Sequence, residues 1–440
     1  GDMLAARLIC GHDLMIARFA PIIALLLSVG LLQAANGLFV VLLGLRMVAE
    51  PFPATITGLV MSAYFLGLMI GSLICRQLIE AVGRIRGFAA FASIVSACAI
   101  AHAIWIDPLY WASLRFITGI CMGGIFMVAE SWLNGSVDNR RRGQLLAIYM
   151  LCNYVPMGLG QQILNFGDPG NFILFSVASI LFSFALIPLA VAPSVSAGPL
   201  PKSRLSILQL FKISPLGVIA AIAAGLVSSV FFSMTPVFGR GIGLSLSEIA
   251  TLMTSGLIGG LLMQWPIGKT SDIFDRRSVF IALVFALACT AVLLTQITSR
   301  GYSALVVGIV IYGGMNFALY PLALAHTNDF LDADDVVPAS AGMILAYSIG
   351  ASLGPTLAGQ TMALLGPTGI FYYTALIMGP LGLFAIFRAT QRASPSKADQ
   401  GPFVPVPRMS VAGSALDPRA AGPADTEIET PQSEALDKPA

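Results

Sequence analysis

The chain has 440 residues, 57% of them hydrophobic and 10% charged, with a mean hydropathy of +0.85. Soluble domains carry about 25% charge, so this composition excludes one and defines an integral membrane protein. A formal net charge of +2, with no basic stretch interleaved with aromatics, excludes a nucleic-acid partner.

About 20 apolar residues carry a helix across the hydrocarbon. Twelve runs fit: 19–43, 55–79, 87–106, 110–134, 144–165, 171–192, 215–238, 247–268, 279–298, 302–325, 337–362 and 369–388. None alternates with period two, as barrel strands do. The sequence therefore predicts an all-α membrane protein of twelve transmembrane helices set in a lipid bilayer. Arg18 ahead of an apolar stretch, followed by the small residues of "QAANG", offers a cleaved signal peptide as the rival reading of the first run. Against it, the apolar run continues to Leu45, and its loss would leave an odd number of spans. The six cysteines are scattered, mostly within apolar runs, without a CxxC or a histidine at ligand spacing, and read as small hydrophobes.

Charge orients the bundle, because loops rich in Lys and Arg stay in the cytoplasm. One set of loops holds Arg76, Arg84 and Arg86, then Arg140, Arg141 and Arg142, then Lys202, Arg204 and Lys212, then Lys269, Arg276 and Arg277. The opposite set holds Arg46, Arg240 and Arg300. Both termini are expected in the cytoplasm.

Two segments fall outside the spans. In 193–214, Leu205, Leu208 and Phe211 recur at helical spacing beside cations, as in a short helix lying on the inner surface. From 391 to 440 the chain is rich in Pro, Ala, Ser and acids, a composition that cannot bury enough apolar area to offset ordering, and a disordered tail is expected. The division is a cytoplasmic segment 1–17, a six-helix unit 18–192, a linker 193–214, a second six-helix unit 215–390 and the tail 391–440. The two units show traces of duplication. A shift of 192 residues matches Met61 with Met253, Ser62 with Thr254, Gly67 with Gly259, Glu80 with Asp272 and Arg84 with Arg276.

With those residues in place the chain resembles the major facilitator superfamily of secondary transporters. The family's loop signature, GxxxDxxGR and a basic residue, is met after the eighth span by Gly268, Asp272, Arg276 and Arg277, with Asp275 where the second glycine belongs. After the second span Glu80, Gly83, Arg84 and Arg86 fit in type, but Arg76 replaces the leading glycine. The family's fourth-helix pattern RxxxGxxxG is met by Arg115, Gly119 and Gly123. More narrowly, "VMSAYFLGLMIGSL", "AESWLN", "QWPIG", "YPLALAH" and "PFVPVPR" look like the YcaD-like bacterial subgroup. The resemblance implies two pseudo-symmetric six-helix bundles, a monomer in the bacterial inner membrane, and alternating-access transport of a small organic solute coupled to protons. Efflux is the favoured direction and proton-coupled uptake the alternative, since the family's antiporter pattern is missing from the fifth span, which reads "NYVPMGLGQ". A non-transporting membrane sensor or scaffold is the remaining class, with the tail as its foothold.

Polar side chains recurring inside spans are candidates for the solute site, since a polar group facing lipid is costly. These are Gln33 and Asn36 on the first span, Asn153 on the fifth, Tyr312, Asn316 and Tyr320 on the tenth, and Tyr347 on the eleventh. Ordinary hydrogen bonding between helices is the alternative, and the preferred one for Ser229 and Ser233. Arg115, a permanent charge near the outer end of the fourth span, is a candidate for recognition, with snorkelling to the interface as its alternative. Glu130, the one carboxylate inside a span away from the loops, is the candidate proton site, against a salt bridge to Arg140, Arg141 or Arg142. His102 and His326 read as interfacial polar residues. No Ser, His and Asp constellation, phosphate loop or metal-spaced cluster appears, so neither an enzyme nor a cofactor is expected.

In the resembled fold the inner ends of helices two and eleven, and of eight and five, meet when the cytoplasmic side is shut. Here those meetings are complementary in charge. The loop holding Arg84 and Arg86, beside Glu80, faces one holding Asp329, Asp332, Asp334 and Asp335 without a cation. Asp272 and Asp275, beside Arg276 and Arg277, face Arg140, Arg141 and Arg142. The expectation is a cytoplasmic gate made in the outward-facing state and broken in the inward-facing one, with solvated topology anchors as the alternative.

Overall fold

The computed structural model describes residues 2–50, 52–135, 142–192, 205–391 and 400–404. Its helices are α1 (Asp2–Ala49), α2 (Ala54–Val82), α3 (Arg84–Ala101), α4 (Pro108–Gly135), α5 (Arg142–Gln162), α6 (Phe172–Phe184) and α7 (Ile187–Val191), then α8 (Ile207–Ile213), α9 (Pro215–Gly241), α10 (Leu246–Ile273), α11 (Arg276–Ile297), α12 (Tyr302–Asn328), α13 (Val336–Leu365) and α14 (Gly369–Gln391). Among the described residues, eleven crossing units are both long and apolar, α6 and α7 together forming one of them. The twelfth is α5, long enough at 21 residues but more polar, because Gln144, Asn153, Gln161 and Gln162 interrupt it. Helix ends follow local chemistry. Ser245 and Glu248 form a capping box at the start of α10, Asp275 caps α11, and Gly83 at φ +91° separates α2 from α3.

Within the first unit α2 packs on α4 and α1 on α5; within the second α10 packs on α12 and α9 on α13. Glycines set these crossings. A Cβ at Gly67 would overlap the Phe116 carbonyl on α4, and one at Gly259 would overlap the Val310 carbonyl on α12. These are the glycines that the 192-residue shift matches. Bilayer helices have no hydrophobic force to drive them together, so close backbone approach through small residues supplies the packing. The same device at the same crossing in both units makes the two bundles pseudo-symmetric.

The turns between α2 and α3, α10 and α11, and α12 and α13 lie at the end of the bundle from which α14 leaves, here the tail end; those between α1 and α2, α3 and α4, and α9 and α10 lie at the far end. The units meet along α2 and α13, α1 and α9, and α5 and α10.

Two segments differ from expectation, and the linker helix between them forms as expected. The first helix, expected from residue 19, begins at Asp2. In the linker α8 forms behind a capping box of Ser206 and Gln209, and buries Leu210 while Leu208 and Phe211 stay exposed. Of the tail, residues 400–404 lie against the bundle with Val404 buried, so the disordered reading does not extend to them. Phe403 and Val404 supply the apolar area that the flanking composition lacks.

Candidate functional site

A cavity lies between the units. Its walls are Gln33, Asn36 and Val40 of α1, Tyr64, Phe65 and Leu68 of α2, Arg115 of α4, Met150, Asn153, Tyr154 and Met157 of α5, Phe232 and Ser233 of α9, and Tyr347 of α13. The structure thus brings together Gln33, Asn36, Arg115, Asn153 and Tyr347 from the residues singled out in sequence. Gln33 Nε2 donates to Asn153 Oδ1 at 3.0 Å, and Asn153 Nδ2 donates to the Tyr149 carbonyl at 2.7 Å, tying α1 to α5 at mid-span. Arg115 is buried, its guanidinium 4.3 Å from the centroid of the Tyr64 ring and 5.9 Å from that of Phe39. It does not extend to an interface, as snorkelling would require. His102, read as interfacial, is likewise buried, against Phe39 and Trp111.

Other candidates stand outside the lining. The Tyr312 hydroxyl shares a hydrogen bond with Thr374 at 2.9 Å, Asn316 Oδ1 accepts from Ser228 at 2.9 Å, and Tyr320 packs edge-on against Tyr347. Glu130 is fully buried and accepts from the Tyr149 hydroxyl at 3.1 Å. Sequence reasoning passed over Tyr64, Tyr154 and Phe232, whose aromatic side chains look the same in sequence whether they face lipid or a cavity. For Tyr64 a signal existed: it stands three residues before Gly67, on the face of α2 that approaches α4.

The far end is shut by small and uncharged residues. A Cβ at Gly58 would overlap the Pro355 carbonyl, and one at Gly359 the Ala54 carbonyl. Thr356 on α13 donates its backbone N–H to Ser62 Oγ at 3.1 Å and its hydroxyl to the same atom at 2.8 Å. At the matching crossing the Thr254 hydroxyl of α10 accepts from Gln162 Nε2 of α5 at 2.8 Å. Ser62 and Thr254 are one of the pairs related by the repeat.

At the tail end Arg276 ties the second unit to the tail. Arg276 is buried; its Nη1 donates to Asp329 and to the Ala325 carbonyl at 3.2 Å, and its Nη2 to Asp272 at 3.2 Å and the Gly401 carbonyl at 2.7 Å. Asp272 Oδ1 also accepts the Phe403 N–H at 2.8 Å, and the Phe403 ring occupies the space over Gly268. Asp275 accepts from the Ser278 N–H at 2.9 Å. Arg277 is buried, Arg76 pairs with Glu80 at 2.8 Å, Arg84 is half-buried, and Arg86, Asp334 and Asp335 are exposed. Arg140 and Arg141 lie outside the described residues, and the backbone of Arg142 begins α5.

Two pseudo-symmetric helical bundles enclosing a central cavity that is shut at one end define a secondary transporter. The chain belongs to the Major Facilitator Superfamily, whose model matches residues 25–260 and 216–421. Members of this family are transporters, not enzymes. The chain is 29% identical over 344 residues to the uncharacterized MFS-type transporter YcaD of Escherichia fergusonii, covering 78% of this chain and 89% of that protein. It is also 29% identical over 346 residues to an uncharacterized MFS-type transporter of Enterobacter sp. strain 638, with the same coverage. Among solved structures, a bacterial homolog of the human lysosomal transporter Spinster, inward-facing and occupied, superposes with a TM-score of 0.66 at 14% identity over 86% of this chain and 97% of that one. The nucleoside transporter NupG superposes with a TM-score of 0.66 at 13% identity over 84% and 98%. At these identities the structural likeness speaks for the fold alone.

Proposed function

We propose that this protein moves a small organic solute across the bacterial inner membrane by alternating access, driven by protons, with both termini in the cytoplasm. The observation that carries the reading is the cavity walled by both units and closed at the far end by uncharged contacts. Such contacts cost little to break, as a reversible closure requires. The bias of Lys and Arg toward the tail end supports placing that end in the cytoplasm, and with the far end closed we read this state as inward-facing. The acidic and basic loops at the tail end then form the cytoplasmic gate of the opposite state, with Asp272 exchanging its tail contact for the start of α5.

Glu130 is proposed as the proton site. An ionised carboxylate inside a span is costly, so its protonation can bias the equilibrium between states. Tyr149, which donates to Glu130, sits on the helix whose Asn153 lines the cavity. Spin pairs across the far end in purified protein test both points. Two distance populations should appear, with a ratio that depends on pH, and Glu130→Gln should retain both populations but lose the pH dependence. A single fixed distance refutes alternating access; unchanged pH dependence in Glu130→Gln moves the proton elsewhere.

A further inference from the structure

Arg115 is the one charged side chain among the described residues that line the cavity, and no carboxylate stands with it. Its side chain is 1% exposed, and neither Nε nor Nη1 has a hydrogen-bond partner. The hydroxyl of Tyr64, whose ring the guanidinium covers, lacks a partner too. Glu130 does not supply the missing charge: it lies fifteen residues further along α4, about 22 Å at 1.5 Å per residue. Stacking on Tyr64 and Phe39 offsets part of the cost of burying the cation, but aromatic faces satisfy none of its N–H donors. Guanidinium and phenol together are donors awaiting an acceptor that carries negative charge.

The remaining lining is mostly apolar, with Phe65, Leu68, Met150, Met157 and Phe232 on the walls. Methionine and aromatic side chains adapt to an apolar body without fixing its shape. We propose that the solute is an amphipathic organic anion, held by its acid head at Arg115 and Tyr64 and by its apolar body against those walls. This deepens the transport reading above and rests on its assignment of the cavity. The counter-charge that the fold omits arrives with the solute, and the same unpaired cation rejects an ammonium-bearing analogue by repulsion.

Three probes of one skeleton test the inference on the purified full chain: 3-phenylpropanoate, its neutral amide, and 3-phenylpropylamine, each read as a rise in melting temperature. The carboxylate should raise it and the other two should not. Arg115→Gln should weaken the carboxylate response about tenfold or more, the loss expected for a hydrogen bond to a charged group. Arg115→Lys, which keeps charge without the planar fork, should weaken it less. Without any probe, Arg115→Gln should melt at or above wild type, because it removes an uncompensated buried charge. A melting temperature well below wild type would make Arg115 a structural residue and overturn the proposal. An equal or greater response to the amide or the amine also overturns it, as does the absence of a carboxylate-specific rise across aliphatic acids of short to medium length. These outcomes are separate from the spin-pair result: lost carboxylate selectivity leaves alternation standing, and a rigid far end leaves anion binding standing.

Discussion

Replacing Arg276 by methionine removes the charged centre of the tail-end network and leaves a shorter, unbranched apolar side chain. The guanidinium bridges Asp329, whose side chain is 1% exposed, and Asp272, whose side chain is 39% exposed. Those exposures decide which loss matters. Asp272 returns to water, and its half of the network is worth about 0–1 kcal/mol, as for exposed ion pairs. Asp329 cannot, and breaking a buried pair by removing one partner costs about 3–5 kcal/mol. The tail loses its bond to the Gly401 carbonyl but keeps the Phe403 N–H on Asp272. Arg276→Met should therefore lower the melting temperature clearly and speed protease cleavage of the tail. Adding Asp329→Leu should recover most of the stability, since a buried pair exchanged for apolar residues of similar volume is often neutral. The protease sensitivity should stay, because Asp329→Leu does not restore the bond from Arg276 to the Gly401 carbonyl. Costs that add in the double variant, or a single variant that melts with wild type, would refute this account.

Gly58→Val places two methyl groups where the Pro355 carbonyl stands, so α2 and α13 must separate at the far end. Spin pairs across that end should shift toward the longer distance, and an unchanged distribution would show that the closure is not set by this contact. Asp272→Asn weakens the proposed cytoplasmic gate and should move the resting population further toward the inward-facing state, with partial recovery on exchanging Asp272 with an arginine of the loop before α5. If the population does not move in Asp272→Asn, the gate reading is wrong and the residue serves the tail contact alone.

Span number and fold class were legible in the chain because the hydrocarbon is a one-dimensional ruler: a run of apolar residues either reaches across it or does not. The repeat was legible for a related reason. Gly67 and Gly259 must both be small to let two backbones cross, and that demand leaves a mark at equal spacing in each half. Even α5, the least apolar of the crossing helices, was found by length. The position of a polar residue around the bundle was not legible. Gln33 and Asn316 look alike as amides in mid-span, yet Asn153 holds the first at the cavity wall while Ser228 closes off the second between helices of one unit. That difference depends on the rotation of each helix against its neighbours, which packing of the whole bundle decides. The same holds for Asp272. The resemblance pairs it with the loop before α5 in the opposite state; in this structure the folded chain brings the Phe403 N–H, 131 residues further along, to its carboxylate. Local sequence sets which groups need partners; the partner each one receives is set by residues far away that the fold carries to it.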